Sequence, residues 1–323
     1  MNVREALEKL KNINESHGLS NDDIIVFLDG FGREFVPVPV IGAFSSGKSS
    51  ILNTLLGYSG GRKLLPEDIT PETAIPAELQ YEAGEDSDNA RITFTDGTEE
   101  LVPFKDYLEN KRAGVYEAEA ARLKIIRFLL NNGKMARLPK LLLVDMPGFG
   151  SGDVSHEKAI DGYVERAMAY IVTFPADGMA LTTEVGAALR ELCVHGKPIR
   201  VMITKKDKAP IEEDFDKTRA VLEKNLKRYI DGRDIEWIET DSHHGDASEL
   251  LACLEDLNDR AGEMMRTQKY LPFLREQAAL TLTRLKGAFK LIGLSESELK
   301  ENAETMAKEM REHEDNMRRM TDK

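Results

Sequence analysis

The sequence is poor in cysteine. Its two thiols, Cys193 and Cys253, stand far apart and form no CxxC, which excludes a disulfide-stapled scaffold and a zinc ribbon. Both sit in segments of helical pattern and read as reduced, buried thiols of a cytosolic protein. Positive charge is also scarce: 44 Lys and Arg stand against 57 Asp and Glu, a net charge of −13. That balance argues against general affinity for nucleic acid or anionic lipid, while leaving room for a local basic patch. Long apolar runs are missing as well. No stretch approaches the roughly 20 residues that span a bilayer, and no secretory pattern opens the chain, so a soluble protein is expected. Tandem repeats and low-complexity tracts are absent. The pair His243–His244 has no companion at ligand spacing and does not read as a metal site. What is present is a 323-residue chain, 41% hydrophobic, long enough for one large α/β domain and a smaller helical partner.

Hydrophobic periodicity divides the chain in three. Val3, Leu7, Leu10 and Ile13 predict a one-sided helix ending near Gly18, and Ser20 with Asp22 and Asp23 starts a second that ends near Gly30. From about Phe35 to Thr240 the runs FVPVPVIG, AIPAELQY, RITFTD, KLLLVDM, AYIVTF, IRVMIT and DIEWIET read as strands alternating with longer helical stretches. Pro37 and Pro39 favour an edge or strand-end place for the first of them. From about Ala247 onward only helix is read. Leu274, Ala278, Leu282, Leu285, Phe289 and Ile292 form one stripe, Gly293 breaks it, and Ser295 with Glu298 makes a capping box. The last helix carries Leu299, Ala303, Met306, Met310, His313, Met317 and Met320 at alternating steps of four and three, a heptad seam. The expected organisation is bundle helices over 1–32, an α/β domain over 33–250 and further bundle helices over 251–323, the last stopping in mid-heptad as a fragment of a longer stalk would.

Three motifs carry chemistry. In GAFSSGKSS, the spacing of Gly42, Gly47, Lys48 and Ser49 is the P-loop pattern, set between a β-branched strand and the helical run SSILNTLLG. Its backbone N–H groups, from Gly42 through Ser45, Ser46 and Gly47 to Ser50, can curl around a β-phosphate at a helix N-terminus. Lys48 brings a point charge to the β and γ oxygens, and the Ser49 hydroxyl is placed to ligate Mg²⁺. In KLLLVDMPGFG an apolar strand delivers Asp145 and, two residues on, Gly148: the carboxylate can hold the Mg²⁺ shell and the glycine N–H can reach a γ-phosphate. In IRVMITKKDK, Thr204, Lys205 and Asp207 stand at a strand end, where an aspartate can accept from the two donors of a guanine edge while the lysine stem packs on the ring. Ser242, in ETDSHHGD, is placed to touch the same base from the following loop.

GAFSSGKSSILNTLLG, LLPEDITPETAIPAELQY, VDMPGFG and ITKKD, in this order and with a long insertion between the second and third, resemble the GTPase domain of the dynamin superfamily, especially its bacterial dynamin-like members. The resemblance covers roughly residues 35 to 250. It implies a P-loop GTPase fold with a mixed, mostly parallel sheet sandwiched by helices, beside a helical bundle built from the N- and C-terminal segments. It further implies binding of GTP with Mg²⁺ and hydrolysis to GDP and phosphate. The switch threonine is Thr70 or Thr73. Thr73 is followed by Pro76 at three, Leu79 at six and Gln80 at seven, similar to dynamin, so the resemblance assigns Thr73 as the Mg²⁺ ligand. Ser45 matches the serine that helps neutralise developing charge. Two positions depart from the family: Phe44 stands where dynamin has a water-orienting glutamine, and Phe149 follows the DxxG. Slow turnover without assembly is therefore expected. Nucleotide-dependent self-association, membrane remodelling and a cytoplasmic setting peripheral to a membrane are also implied. No paddle, hairpin or basic lipid-binding run is read, so membrane contact is expected through a part not evident here. A weakly hydrolysing, GTP-dependent interaction module is the alternative that Phe44 favours. A ribosome-assembly GTPase is disfavoured by the acidic balance and the lack of a basic RNA-binding domain.

Overall fold

A computed structural model describes residues 2–43, 45–59, 62–66, 75–84, 88–148, 163, 166–194, 196–209, 211–230 and 235–291. The chain divides into two compact units, Glu34–Met265 and Met1–Arg33 with Arg266–Lys323.

Among the described residues the larger unit is built on nine strands: β1 (Val36–Gly42), β2 (Ala77–Tyr81), β3 (Asn89–Phe94), β4 (Glu99–Pro103), β5 (Leu123–Leu130), β6 (Leu141–Asp145), β7 (Tyr170–Pro175), β8 (Ile199–Thr204) and β9 (Glu236–Glu239), in the order β4-β3-β5-β2-β6-β1-β7-β8-β9. Pairing is parallel except for β2 with β6 and β3 with both β4 and β5. The middle strands are continuous apolar runs because both faces are covered: β1 and β6 are buried along their whole length. One core cluster joins Ile41, Val144, Tyr170, Val172, Leu189, Val201, Ile203 and Leu226. Cys193 and Cys253 are buried thiols.

Two expectations are corrected here. β1 lies between β6 and β7 rather than at an edge. Backbone groups alternate sides along a strand, and Val36 N donates to Lys140 O while Val40 O accepts from Met146 N, so the even-numbered residues face β6. Pro37 and Pro39 face the other flank, where Pro37 O accepts from Met168 N at 3.0 Å and ladder pairing with β7 begins only at Val40. The inserted segment also holds two strands that the pattern did not mark. β4 is an exposed, acidic edge strand, and β5 is an apolar run that periodicity alone cannot tell from buried helix. The helix Ser248–Asp259 falls within the sheet unit. Leu250, Leu251, Cys253, Leu254 and Leu257 are buried, and Asn258 Oδ1 accepts from Lys140 N at 3.0 Å.

In the smaller unit, α1 (Val3–Ser16) and α2 (Asp22–Gly30) pack with the helix Leu271–Leu291 around Leu7, Ile24 and Leu28, where Phe27 stacks on Phe273 with ring centroids 3.8 Å apart. The inward stripe of α1 ends on Asn14, not on Ile13, which is 44% exposed. A period of 3.6 carries 3, 7 and 10 to 14, and burial is tolerated because the Asn14 amide is satisfied: Nδ2 donates to Asn21 Oδ1 at 2.9 Å and Oδ1 accepts from Thr281 Oγ1 at 2.8 Å. Thr281 is accordingly buried, while Leu282, expected in the stripe, is 53% exposed. The capping box at 295–298 and the heptad seam from 299 to 320 lie outside the described residues.

Candidate functional site

β1 ends at Gly42 against β7. A Cβ there would lie 2.0 Å from Thr173 Oγ1 and 2.7 Å from Thr173 O, so only glycine allows the approach. Thr173 Oγ1 in turn sits 2.7 Å from Ser46 Oγ and donates to Ile41 O at 3.0 Å, which pins the loop at its buried side. Ser45 is exposed with φ 57, a left-handed backbone that costs a non-glycine residue about 1 kcal/mol. Gly47, φ 86, turns the chain into α3 (Lys48–Leu56), whose first N–H groups receive no side-chain cap. Uncapped donors at a helix start are what a phosphate oxygen requires. Ser50 continues α3, its carbonyl accepting from Thr54 Oγ1 at 2.9 Å.

Lys48 is 7% exposed and curls over the loop, with Nζ 3.1 Å from Ala43 O, 3.4 Å from Gly42 O and 3.5 Å from Ser46 Oγ. Burial lowers its pKa to about 8, with Asp145 opposing the shift. Asp145 closes β6, also 7% exposed, and its Oδ2 accepts from Ser49 Oγ at 2.6 Å. Burial raises its pKa to about 6, against the pull of Lys48 and the Ser49 hydrogen bond. Its other oxygen, Oδ1, is buried and has no hydrogen-bond partner among the described residues. A buried carboxylate with a spare oxygen beside a serine hydroxyl is a donor set that fits a hard divalent cation such as Mg²⁺. Gly148 is buried just beyond β6.

The TKKD stretch is joined to this loop by a hydrogen bond from Thr204 Oγ1 to Ser46 O. Lys205 takes a left-handed backbone, φ 54, and its Cγ stands 3.8 Å from where a Gly47 Cβ would be. Asp207 is exposed on the short turn Lys206–Lys208. That turn is held by the ion pair of Lys206 with Glu239, which also receives Arg219 at 2.8 Å. Thr240 N donates to Ile203 O at 2.9 Å, and Asp241 and Asp246 exchange backbone hydrogen bonds of 2.9 and 2.7 Å, so the turn bearing the half-buried Ser242 is brought beside β8. His244 Nδ1 lies 2.6 Å from Asp241 Oδ2. That hydrogen bond, the Asp241 charge and, more weakly, Asp207 raise its pKa above the ordinary imidazole value. No group of three metal-binding side chains forms here or elsewhere among the described residues. The segment after β8 is thus tied to the P-loop through Thr204 and to the residue after β9 through Thr240. The Dynamin family profile matches residues 38–206, just over half of the chain.

The chain belongs to the dynamin family. It is 26% identical over 301 residues to Dynamin-like protein 2 of Campylobacter jejuni, covering 90% of this chain and 43% of that protein. It is 34% identical over 118 residues to the mitochondrial dynamin-like GTPase MGM1 of Saccharomyces cerevisiae, covering 35% of this chain and 12% of the relative. The chain therefore spans less than half the length of either curated relative. A solved structure of an oligomerised bacterial dynamin pair, described as providing a mechanism for long-range sensing and tethering of membranes, superposes with a TM-score of 0.51 at 16% identity over 99% of this chain and 64% of that one.

Within this dynamin fold, motif reading missed two polar clusters. Glu78, 0% exposed on β2, accepts from Arg127 Nε and from Tyr163 OH, each at 2.5 Å. Burial, then Glu78, pushes the Tyr163 hydroxyl far above its ordinary pKa. The sequence does show a carboxylate inside AIPAELQY and a cation inside LKIIRFLL, but only the register Glu78↔Arg127 pairs them. Asn53, inside the helical run, bonds to the Leu64–Leu65 backbone. Of the expected site residues, Thr73 and its alternative Thr70 lie outside the described residues, as do Phe44 and Phe149.

Proposed function

We propose that this chain is the GTP-binding and hydrolysing part of a bacterial dynamin-like protein, working with Mg²⁺, converting GTP to GDP and phosphate, and associating with itself in a nucleotide-dependent way at a membrane. The observation that carries the reading is the contact of Ser49 with Asp145 beneath Lys48, with one Asp145 oxygen left over. Ser49, Asp145 and Thr73 would hold the cation, which when bound supplies positive charge between the β- and γ-phosphates. Lys48 would exchange its loop carbonyls for phosphate oxygens, and Ser45 would face the charge that develops during transfer. The N–H of Gly148 would report the γ-phosphate, while Thr204, Lys205, Asp207 and Ser242 would hold guanine. Self-association and membrane action rest on what the relatives are described as doing, and no described helix is long and apolar enough to cross a membrane.

Phe44 supports a second reading, a GTP-dependent scaffold that hydrolyses slowly, because no water-orienting amide stands at that position. Phosphate release measured against protein concentration, with and without vesicles, separates the two: turnover that climbs on assembly supports the enzyme, and flat, very slow turnover supports the scaffold. Base choice is tested by Asp207→Asn, expected to weaken GTP and favour xanthosine triphosphate by a factor on the order of 10⁴ between the two bases. Equal affinity of the unmutated chain for ATP and GTP would reject the guanine assignment.

A further inference from the structure

β7 pairs with β1 in the register Gly42↔Thr173, so Thr173 stands beside the glycine that opens the P-loop. Thr173 is 1% exposed and Ser46 0%. The Thr173 hydroxyl has one hydrogen, and that hydrogen is spent on Ile41 O at 3.0 Å. In the 2.7 Å contact between the two hydroxyls Ser46 is therefore the donor, and its oxygen keeps lone pairs that Lys48 Nζ reaches at 3.5 Å. Ser46 is also held through its main chain. Its N–H donates to Ala43 O at 3.2 Å, and its carbonyl accepts from Thr204 Oγ1. The C=O and N–H of one trans peptide point opposite ways, so fixing the Ser46 carbonyl on Thr204 turns the Gly47 N–H away from Thr204. One residue of the loop is thus tied at three points, two of them on the strands β7 and β8 outside it. Alanine at 46 and valine at 173 would fill the same space without these side-chain bonds.

We propose that Thr173 is a positioning residue for the phosphates: its hydroxyl, acting through Ser46, holds the P-loop backbone in the conformation that receives a β-phosphate. The inference rests on the GTPase reading above. A loop released from Thr173 samples other conformations, and nucleotide affinity falls by the fraction that remains competent. GDP and GTP both carry the β-phosphate, so both weaken alike, and the preference for guanine is untouched.

The test compares two variants of the full chain. Thr173→Val keeps the shape and loses the hydroxyl, whereas Thr173→Ser keeps the hydroxyl and loses the methyl. Affinities for GDP, for a non-hydrolysable GTP analogue and for the matching ATP analogue are measured with Mg²⁺, well below the melting temperature of each variant. Loss of one such bond corresponds to about a fivefold fall in affinity for GDP and the GTP analogue alike in Thr173→Val, with Thr173→Ser within about twofold of the unmutated chain. Ser46→Ala removes the other end of the bond and is expected to cost a similar factor, and the double variant Ser46→Ala with Thr173→Val no more than either alone. Affinity that follows the methyl instead of the hydroxyl, a Thr173→Val that only melts earlier, or losses that multiply in the double variant would overturn the proposal. An unmutated chain that binds the GTP and ATP analogues equally fails the guanine assignment alone, because the Thr173 comparison is read on the phosphates. A chain that binds neither fails both.

Discussion

At the scale of single residues, Asp145 is the group that pays for the site. Its folded pKa of about 6 exceeds the ordinary 3.8, so the folded chain holds the proton more tightly than the unfolded one, and stability falls as pH rises from about 4 to about 6. Lys48 works in the opposite sense. Its folded pKa of about 8 lies below 10.5, so stability rises as pH climbs between those values, and below about 8 the full cost of the buried ammonium is present. Near pH 7 both costs stand, and a shift of this size in Asp145 corresponds to about 2–3 kcal/mol. Asp145→Asn is therefore expected to stabilise the nucleotide-free chain at pH 7 by about 2 kcal/mol, to flatten the stability profile between pH 4 and 6, and to abolish extra stabilisation by Mg²⁺ with GTP. Thermal melting across pH, with and without Mg²⁺–GTP, checks all three. A less stable Asp145→Asn at pH 7 would mean that the carboxylate is a net support in the free protein. Motif spacing identifies Asp145 and Lys48 as partners, but it carries no hint of their burial.

At the scale of elements, β1 shows how a pattern can be right about the strand and wrong about its place. Two prolines suggested an edge or a strand end; β1 is central, and alternation puts both near its start on the flank where β7 has not begun to pair. The same geometry makes a prediction. Val38 faces β6, in register with Leu143, so Val38→Pro removes a ladder bond from a central strand and is expected to cost at least about 3 kcal/mol. Pro39→Ala is expected to change stability by less than about 1 kcal/mol, since no bond is restored or lost. Denaturant titration of the two variants decides, and comparable losses would refute the assignment of flanks. The α1 stripe teaches a related lesson. Asn14 lies on the correct helical period, but a hydrophobicity count skips it, because only Asn21 and Thr281 make its burial affordable.

At the scale of the whole molecule, every described residue of the candidate site falls in Glu34–Met265, which has its own core and closes with the helix Ser248–Asp259 on the sheet. A chain of residues 34–265 alone is therefore expected to fold and to bind GDP within about threefold of the full chain, a difference below about 1 kcal/mol. Fluorescent-nucleotide titration of both chains checks this. A larger loss would assign the terminal helices a part in building the site. A helix that covers a sheet and a helix that joins a bundle show the same 3.6-residue period, and the period does not say which apolar surface the helix meets.

The amino-acid sequence by itself determined the local chemistry: a glycine loop opening a helix at Lys48 and Ser49, a strand ending on Asp145, a second ending on Thr204 with Asp207 just beyond it, and the fold class that places such strand ends together. These are legible because each depends on residue type over a few neighbouring positions, where backbone conformation and donor chemistry are set. Only the tertiary structure decided that Glu78 pairs with Arg127 and Tyr163, that Asn53 holds Leu64 and Leu65, that β1 tolerates its prolines in mid-sheet and that one oxygen of Asp145 has no hydrogen-bond partner among the described residues. Each of these depends on register and burial between segments far apart in the chain, and desolvation, which sets their energies, has no value until those segments have packed.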